Sequence, residues 1–408
     1  MDLPKKVNKK ELLAARSQTL FKIREINGEF NSATPPAVFV GSKLRYPAVN
    51  VGILSPPEKE KDAWLFDAQN YWAEKEFKLE DVIRFRRSLI NSRFQSNIHA
   101  VNSKKAEINK KFLEISQELS MAVGSVDLEL ELKKKAVIKL DFDKINMPQG
   151  PGAELKGVKL TENPKIPKKI DKVVSDIDLK SVSAINTLYK KQVNEHSLSK
   201  LLSMGMFGLK KDRRLVPTRW SITATDDIVG KNLLSKIRYY PHLEEYKVFY
   251  GNFFGNYYLI ILLPGMMSYE LFEMYLPNSA WNTASGVSMA TDNEEFHGRK
   301  TYASNTVGGY YAARLAVLEY LEKIKKQSSV LVLRFETPEY WASMGVWVVR
   351  AAARKSLQAV PQNFDNLNST LNYSYGKIKK NFNFDITNIL KISKILNRKQ
   401  TPLTKFIP

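Results

Sequence analysis

Residues 215–230 read LVPTRWSITATDDIVG and bring cations, an aromatic ring, hydroxyls and two adjacent carboxylates close together. The alternating, β-branched run Ser221–Thr225 predicts a short strand. Asp226 and Asp227 come where that strand would end, and Arg219 precedes it. Carboxylates near a cation are typical of a phosphate site or of a site for a divalent cation such as Mg²⁺ or Mn²⁺. The alternative is a strand whose acids cap the following helix.

Basic residues are concentrated beside this stretch and at two earlier places. The segment Lys210–Arg214 precedes it directly, a loop between two predicted strands carries Arg45 and Tyr46, and the predicted helix Leu79–Leu89 carries three arginines. A cation beside an aromatic ring can hold a phosphate and stack a base, although an ordinary turn with an exposed arginine has the same pattern. The candidate nucleic-acid-binding residues are Arg45, Tyr46, Arg84, Arg86, Arg87, Lys210, Lys211, Arg213, Arg214 and Arg219.

The charge of the whole chain supports a polyanionic partner. The 408 residues carry a formal net charge of +21, and the pI is near 9.7. An excess of this size favours association with nucleic acid, DNA or a nucleotide among them. The alternative is a lysine-rich surface that is merely solvated.

Composition also excludes several classes of protein. Cysteine is absent, which excludes disulfides, thiolate zinc sites, a zinc finger and a cysteine nucleophile. The longest apolar run, Tyr257–Leu263, is far too short to cross a bilayer, and no segment has the pattern of a signal peptide. We therefore expect no membrane partner and a cytoplasmic location. The motifs GxGxxG, GxSxG and HExxH are also absent, so an enzymatic reaction stays open.

Periodicity predicts a mixed α+β protein with two lobes and a flexible C-terminal tail. The run SVDLELEL alternates strictly and SVLVLRFE is a buried strand. The expected domains are 1–295, a helix-rich 296–398, and a tail 399–408. Further expected elements are strands at Val38–Val40 and Ala48–Ile53, a hairpin of Tyr246–Tyr250 with Tyr257–Leu263, a loop over 148–169, a short helix at Ser268–Tyr275, and a helix beginning at Thr337–Pro338.

Further acids stand where a ligand could bind. Glu336 ends the predicted strand SVLVLRFE, and open α/β sheets place ligands at such strand ends; a structural ion pair with a nearby arginine is the alternative. Asp176 and Asp178 would share one face of a strand, or cap a helix. Gly308 and Gly309 begin a predicted helix, where an anion could approach the backbone.

The last nine residues, QTPLTKFIP, match a peptide that binds sliding clamps. Gln400, Leu403 and Phe406 occupy positions 1, 4 and 7 of the pattern Q-x-x-[LIM]-x-x-[FY]-[FY]. One turn of 3₁₀ helix has three residues, so positions 4 and 7 project on the same side. Ile407 stands where a second aromatic is usual, which should weaken the contact.

Several long strings resemble one family. They are FVGSKLRYPAVNVGILSPP, VVSDIDLK, VPTRWSITATDDIVG, and the glycine-containing helix followed by RFETPEYW. Together with the tail, they resemble the archaeal Nre family of DNA repair proteins. The resemblance implies a cytoplasmic protein of DNA damage repair that docks on the sliding clamp (PCNA). Some members carry an N-terminal zinc finger, which this chain has no cysteine to build.

Three hypotheses about function follow. The first is a DNA repair factor recruited to the clamp that binds nucleic acid through its basic surface. The second is a metal-dependent enzyme acting on a nucleotide or a DNA end, with Asp226 and Asp227 as metal ligands, Arg219 and Arg314 on the phosphate, and Glu336 as a further catalytic candidate. The third is a non-enzymatic scaffold between the clamp and other repair proteins.

Overall fold

A computed structural model of the chain describes residues 28–42, 44, 46–102, 109–136 and 150–397. They form two compact units. The N-terminal unit extends to Asn232 and includes Ala342–Gly345, and the C-terminal unit comprises Leu233–Trp341 and the residues from Val346 onward. Each unit is built on one six-stranded sheet. The predicted class, mixed α+β with two lobes, is therefore confirmed.

The sheet of the N-terminal unit has the order β1-β5-β6-β4-β3-β2. Neighbouring strands are antiparallel except β4 and β6, which run parallel. The strands are β1 (Glu29–Thr34), β2 (Val38–Val40), β3 (Ala48–Ser55), β4 (Ile90–Asn97), β5 (Val126–Leu132) and β6 (Gly152–Leu160). The helices are α1 (Gln69–Glu74), α2 (Leu79–Ser88), α3 (Lys110–Met121), α4 (Lys168–Ser175), α5 (Ser181–Lys190), α6 (Glu195–Ser203) and α7 (Thr218–Ile237), with 3₁₀ turns at Ala63–Asp67, Ala100–Asn102 and Lys210–Asp212.

Strand β5 has the two faces that its sequence predicts. Its leucines and Val126 are buried, whereas its acids face outward, where Asp127 pairs with Lys59 at 2.5 Å and Glu131 pairs with Lys156. The expected loop over 148–169 is wrong, because β6 lies within it and pairs with β5. The Gly- and Lys-rich sequence of β6 does not indicate a strand, but pairing with its neighbours in the sheet stabilises one.

The predicted strand Ser221–Thr225 is also wrong, because these residues lie inside helix α7. The Pro217 carbonyl accepts hydrogen bonds from the backbone N–H groups of Trp220 (2.8 Å) and Ser221 (3.0 Å), which start the helix. The buried positions recur every three or four residues, which is the period of a helix rather than of a strand. They are Ser221, Thr225, Asp226, Val229, Gly230, Leu233, Leu234 and Ile237. This period over a long window overrides the local β propensity.

The sheet of the C-terminal unit has the order β10-β9-β11-β8-β7-β12. Strands β9 and β11 are parallel, and the other neighbours are antiparallel. The strands are β7 (Tyr246–Phe253), β8 (Asn256–Leu263), β9 (Ser268–Tyr275), β10 (Ser288–Glu294), β11 (Ser329–Glu336) and β12 (Gln362–Phe364). The helices are α8 (Val307–Ile324), α9 (Val346–Gln358), α10 (Leu367–Phe382) and α11 (Thr387–Ile392). Among the described residues, no helix is long and apolar enough to cross a membrane.

This sheet explains why the compact units do not divide near residue 295. Strand β11 pairs with both β8 and β9, so residues before and after 295 share one sheet. The predicted hairpin of β7 and β8 and the buried strand β11 are confirmed. The predicted helix at Ser268–Tyr275 is wrong, because these residues form β9 between β10 and β11. No helix begins at Thr337, whose N–H and hydroxyl donate to the Gly255 carbonyl; the next helix begins at Val346.

One face of this sheet is apolar. Leu259, Ile261, Leu331 and Leu333 belong to its core, which is covered by Ile378 of α10, Ile389 of α11 and Ile386 just before α11. The C-terminal segment after α11 is fixed by a buried acid of β9. The Glu270 carboxylate accepts hydrogen bonds from the Ser393 hydroxyl (2.5 Å) and from the backbone N–H groups of Lys394 (3.0 Å) and Ile395 (3.2 Å). The predicted tail, 399–408, lies outside the described residues.

Candidate nucleic-acid interface

The first turn of α7 and the segments around it place cations and aromatic rings at the surface of the N-terminal unit. The backbone N–H of Leu215 donates to the Ile98 carbonyl at 2.9 Å, and the Ile98 N–H donates to the Pro47 carbonyl at 3.1 Å. The Val40 N–H donates to the Thr218 hydroxyl at 2.9 Å. The chain before the β2–β3 loop is therefore hydrogen-bonded directly to the first turn of α7. The chain after the loop is linked through Ile98 to Leu215, just before that helix.

The side chains exposed along these segments form what we call the basic-aromatic surface. Its two rings are exposed, since Tyr46 is 65% and Trp220 is 49% accessible to solvent. The guanidinium of Arg219 lies 5.9 Å from the centre of the Trp220 ring, within the range of a cation–π interaction. The members of the surface are Tyr46, Lys210, Lys211, Arg214, Arg219 and Trp220. Arg45, which sequence adds to this set, lies outside the described residues.

Arg213 does not belong to this surface, although it stands in the middle of the basic cluster. Its guanidinium donates to three backbone carbonyls, those of Gly208 (2.9 Å), Val174 (2.8 Å) and Asp176 (2.9 Å). Burial lowers the pKa of this side chain, and Asp176 partly opposes that effect. Arg213 therefore ties the end of α4 to the turn at Gly208 and is used internally.

The structure also removes Arg86 from the predicted nucleic-acid-binding set. Arg86 is buried and pairs with the buried Asp67 at 2.6 Å, and Lys200 contacts the other oxygen of that carboxylate at 3.3 Å. Burial alone would raise the pKa of Asp67, but Lys200 and Arg86 together lower it. The helical period of α2 explains the difference from its neighbours, because it turns Arg86 inward and leaves Arg84 exposed, paired with Asp81 at 2.9 Å. Arg87 is half-buried.

Asp226 and Asp227 do not face the same way. Successive residues of a helix point about 100° apart, so Asp226 is fully buried while the partly exposed Asp227 pairs with Lys231 at 2.7 Å. Within the described ranges, no group of three or more histidine, aspartate or glutamate side chains is arranged to hold a metal ion. A metal at these two acids therefore stays a prediction, and the strand end that suggested it is a helix interior.

The acids of VVSDIDLK lie in an exposed turn rather than on a strand. Asp176 follows the last turn of α4, and its carboxylate accepts a hydrogen bond from the Asp178 backbone N–H at 3.1 Å. The two residues precede α5. This arrangement agrees with acids at helix ends, which was the alternative to a metal site.

Glu336 belongs to a buried polar cluster, which we define as Asn256, Glu273, Arg334 and Glu336, with Tyr275 at its margin. Arg334 donates to Glu273 (2.6 Å), to Glu336 (3.0 Å) and to the Asn256 side-chain oxygen. The Tyr275 hydroxyl donates to the second oxygen of Glu273 at 2.6 Å. Glu336 ends β11 as predicted, and the alternative role in an ion pair with a nearby arginine is observed.

Burial dominates the electrostatics of Glu336. Desolvation raises the pKa of its carboxyl to about 7, although Arg334 and the Trp281 backbone N–H stabilise the charged form. Sequence reasoning found Glu336 but missed Glu273 and Arg334. The signal was present in their spacing, since Arg334 lies two residues before Glu336 and Glu273 lies two before Tyr275, which puts each pair on one face of its strand.

The groups near α8 that were predicted to contact a phosphate interact with other residues of the protein instead. Arg314 pairs with Glu294 at 2.7 Å, and both side chains are buried. The N-terminus of α8 receives the Asp292 carboxylate, which accepts hydrogen bonds from the N–H groups of Asn305 (3.0 Å) and Thr306 (2.8 Å). Gly309 lies so close to Glu273 that a β-carbon there would approach the carboxylate to 2.6 Å. The glycine is explained by this close packing.

Comparisons with known proteins agree over almost the whole chain. Models of the N-terminal and C-terminal regions of archaeal Nre proteins match residues 10–282 and 294–406. The DNA repair protein NreA of Haloferax volcanii is 35% identical over 79% of this chain and 77% of its own length. NreA of Archaeoglobus fulgidus is 36% identical over 85% of both chains. NreB of the same organism, also called a DNA repair protein, is 34% identical over 92% of this chain and 91% of its own.

No solved structure matches the chain at a significant level. The two family models together leave only the boundary region and the chain ends unmatched. The strings that suggested the resemblance lie within the matched residues, and the three relatives are similar to this chain over more than two thirds of its length. The chain therefore belongs to the archaeal Nre family.

Proposed function

We propose that this protein acts in DNA repair by binding nucleic acid through the basic-aromatic surface. The observation that carries the proposal is the set of four exposed cations, Lys210, Lys211, Arg214 and Arg219, on one continuous segment beside exposed rings. The net charge of +21 supports a polyanionic partner. The relatives that are called DNA repair proteins supply the biological setting.

A salt series of DNA affinities, measured by fluorescence anisotropy, tests this proposal. Each phosphate neutralised by a side chain contributes about 0.7 to 0.9 to the slope of log affinity against log salt. We expect the Arg214→Ala/Arg219→Ala variant to bind more weakly and to lose roughly 1.5 from that slope. Undiminished affinity and slope in this variant would contradict the proposal.

The matched control removes two charges from a place where DNA should not bind. Lys133→Ala/Lys159→Ala changes lysines that lie among the outward acids of β5 and β6, where Lys133 pairs with Glu154 at 2.5 Å. Because the total charge of the two double variants is equal, a larger loss of slope at Arg214 and Arg219 reports a local contact rather than the overall charge.

We further propose that the tail recruits the protein to PCNA through Gln400, Leu403, Phe406 and Ile407. The support is the match to a clamp-binding pattern at the C-terminal end of the sequence. With isoleucine in place of the second aromatic, we expect a Kd in the micromolar range, about −8 kcal/mol. Calorimetry of the peptide 397–408 with the cognate clamp measures this value.

The peptide experiment has its own controls. Leu403→Ala and Phe406→Ala should each abolish the heat, while Lys405→Ala, between the two anchors, should change it little. Equal binding by all three variants means that the contact is not made by a clamp motif. A parent peptide that gives no heat at high concentration leads to the same conclusion.

A further inference from the structure

Resting on the proposed function, we infer that the basic-aromatic surface takes single-stranded nucleic acid, whose bases stack on Trp220 and Tyr46, in preference to duplex. The first observation is exposure. Trp220 is 49% exposed and Tyr46 is 65% exposed, so a large part of each ring is open to solvent. Large rings held at the surface beside cations are the pattern of a base-stacking platform.

The second observation is that the fold holds the two rings on neighbouring segments. The β2–β3 loop that carries Tyr46 begins just after Val40, whose N–H is bonded to Thr218, two residues before Trp220. The loop ends at Pro47, which Ile98 connects to Leu215. Hydrogen bonds therefore hold the chain on both sides of the loop to the segment that carries Trp220, and we expect one strand of nucleic acid to reach both rings.

The third observation is what α7 lacks. A helix that reads a duplex lies in the major groove along an exposed face with several side chains directed at base edges. The buried positions of α7 recur along its length from Ser221 to Ile237, and its exposed ring is confined to the first turn. Beyond that turn, the exposed cation Lys231 is paired with Asp227. The cations of this surface can contact the phosphates of duplex DNA. The aromatic rings, however, cannot stack on bases that are enclosed in a duplex.

The chemistry then favours unstacked bases. In a duplex the faces of the bases are covered by their neighbours, whereas in a single strand each base presents a face to an aromatic ring. The guanidinium of Arg219, 5.9 Å from the Trp220 ring centre, can contact the phosphate next to a stacked base. Stacking is tolerant of sequence, so the preference concerns strandedness rather than a particular sequence.

The test compares a pyrimidine oligonucleotide with the duplex of the same length at one salt concentration. We expect the parent to bind the single strand at least about tenfold more tightly. Trp220→Ala should lose about tenfold in single-strand affinity and much less in duplex affinity, and its salt slope should be unchanged because no charge is removed. Trp220→Phe should retain most of the single-strand affinity, because a phenyl ring can still stack on a base. A merely structural role for the indole would instead make Trp220→Ala lose single-strand and duplex affinity alike.

Tyr239→Ala is the matched control, since Tyr239 is an 89% exposed ring assigned to the other compact unit. It should leave both affinities unchanged. Equal affinity of the parent for single strand and duplex, or an unaltered single-strand affinity in Trp220→Ala, overturns the stacking inference while leaving nucleic-acid binding in place. Absence of binding to either molecule at low salt overturns the proposed function as well, so the two failures are distinguishable.

Discussion

The buried polar cluster and the basic-aromatic surface both set an arginine beside an aromatic ring, yet they differ in what else the arginine contacts. In the cluster, Arg334 lies 5.9 Å from the Tyr275 ring centre and also binds Glu273 and Glu336. On the surface, Arg219 lies at the same distance from Trp220 and is exposed. A buried cation must be neutralised inside the protein, and its hydrogen-bonding groups are then occupied. The exposed cation can still bind a phosphate.

Arg334→Met should produce the largest effect on stability, because it removes the cation that Glu273 and Glu336 share. Loss of one partner of a buried ion pair leaves an uncompensated charge, so we expect the free energy of unfolding to fall by about 4 kcal/mol. Urea denaturation measures the change. Arg354→Ala, which breaks a partly exposed pair with Glu319, should cost about 1 kcal/mol or less. Equal losses in the two variants would remove the contrast between buried and exposed arginines.

Glu336→Gln should change how stability depends on pH. The pKa of this carboxyl is about 7 in the folded protein and near 4.5 when unfolded. Unfolding therefore releases a proton between these values, and the parent should lose about 3 kcal/mol of stability as pH rises from roughly 4.5 to 7. The variant lacks this contribution. Urea titrations at several pH values test it, with Glu245→Gln at an exposed carboxylate as control; parallel profiles for parent and Glu336→Gln would refute it.

The adjacent residues Arg213 and Arg214 allow the comparison within one cluster. Arg213→Ala removes hydrogen bonds from a cation to three backbone carbonyls, so we expect a loss of about 2 kcal/mol in stability. Arg214→Ala should leave stability nearly unchanged and weaken DNA binding. Thermal unfolding and anisotropy on the same two proteins separate these effects. If Arg213→Ala is fully stable and binds DNA poorly, the assignment of the two roles is reversed.

Asp227→Asn should give the smallest effect. Its carboxylate pairs with Lys231 on the surface of α7, and such pairs contribute a few tenths of a kcal/mol. We expect unchanged DNA affinity and a barely measurable loss of stability. A strong loss of cell survival after DNA damage, with the stability of the protein unchanged, would instead favour the metal-dependent alternative.

Strands with clear patterns could be predicted from sequence. SVDLELEL alternates in a period of two, and SVLVLRFE is a continuous apolar run that becomes the centre of a sheet. The prediction of a helix at Ser268–Tyr275 was wrong. Glutamate, leucine and methionine favour helices, but pairing with β10 and β11 makes this segment a strand. The prediction of a strand at Ser221–Thr225 was wrong for the opposite reason. It relied on a local β-branched run, whereas the helical period that extends to Ile237 decides the structure.

The candidate site was predictable in composition but not in detail. The basic cluster of 210–219 was identified by its charge, and its position beside the Tyr46 loop follows from hydrogen bonds between segments far apart in sequence. Whether an arginine faces solvent could not be predicted, because Arg213 and Arg214 differ only by the turn that directs one of them inward. Arg86 was misjudged for the same reason, since its partner Asp67 lies nineteen residues away.

The hold of Glu270 on residues 393–395 has a mechanical consequence. Force applied to the C-terminal tail is transmitted to β9, a strand in the interior of its sheet, before it can unwind α11. From Asn397 to Gln400 the chain can extend by only about 10 Å. If the tail binds the sliding clamp as proposed, the short connection would keep the C-terminal unit close to the clamp and restrict its orientation.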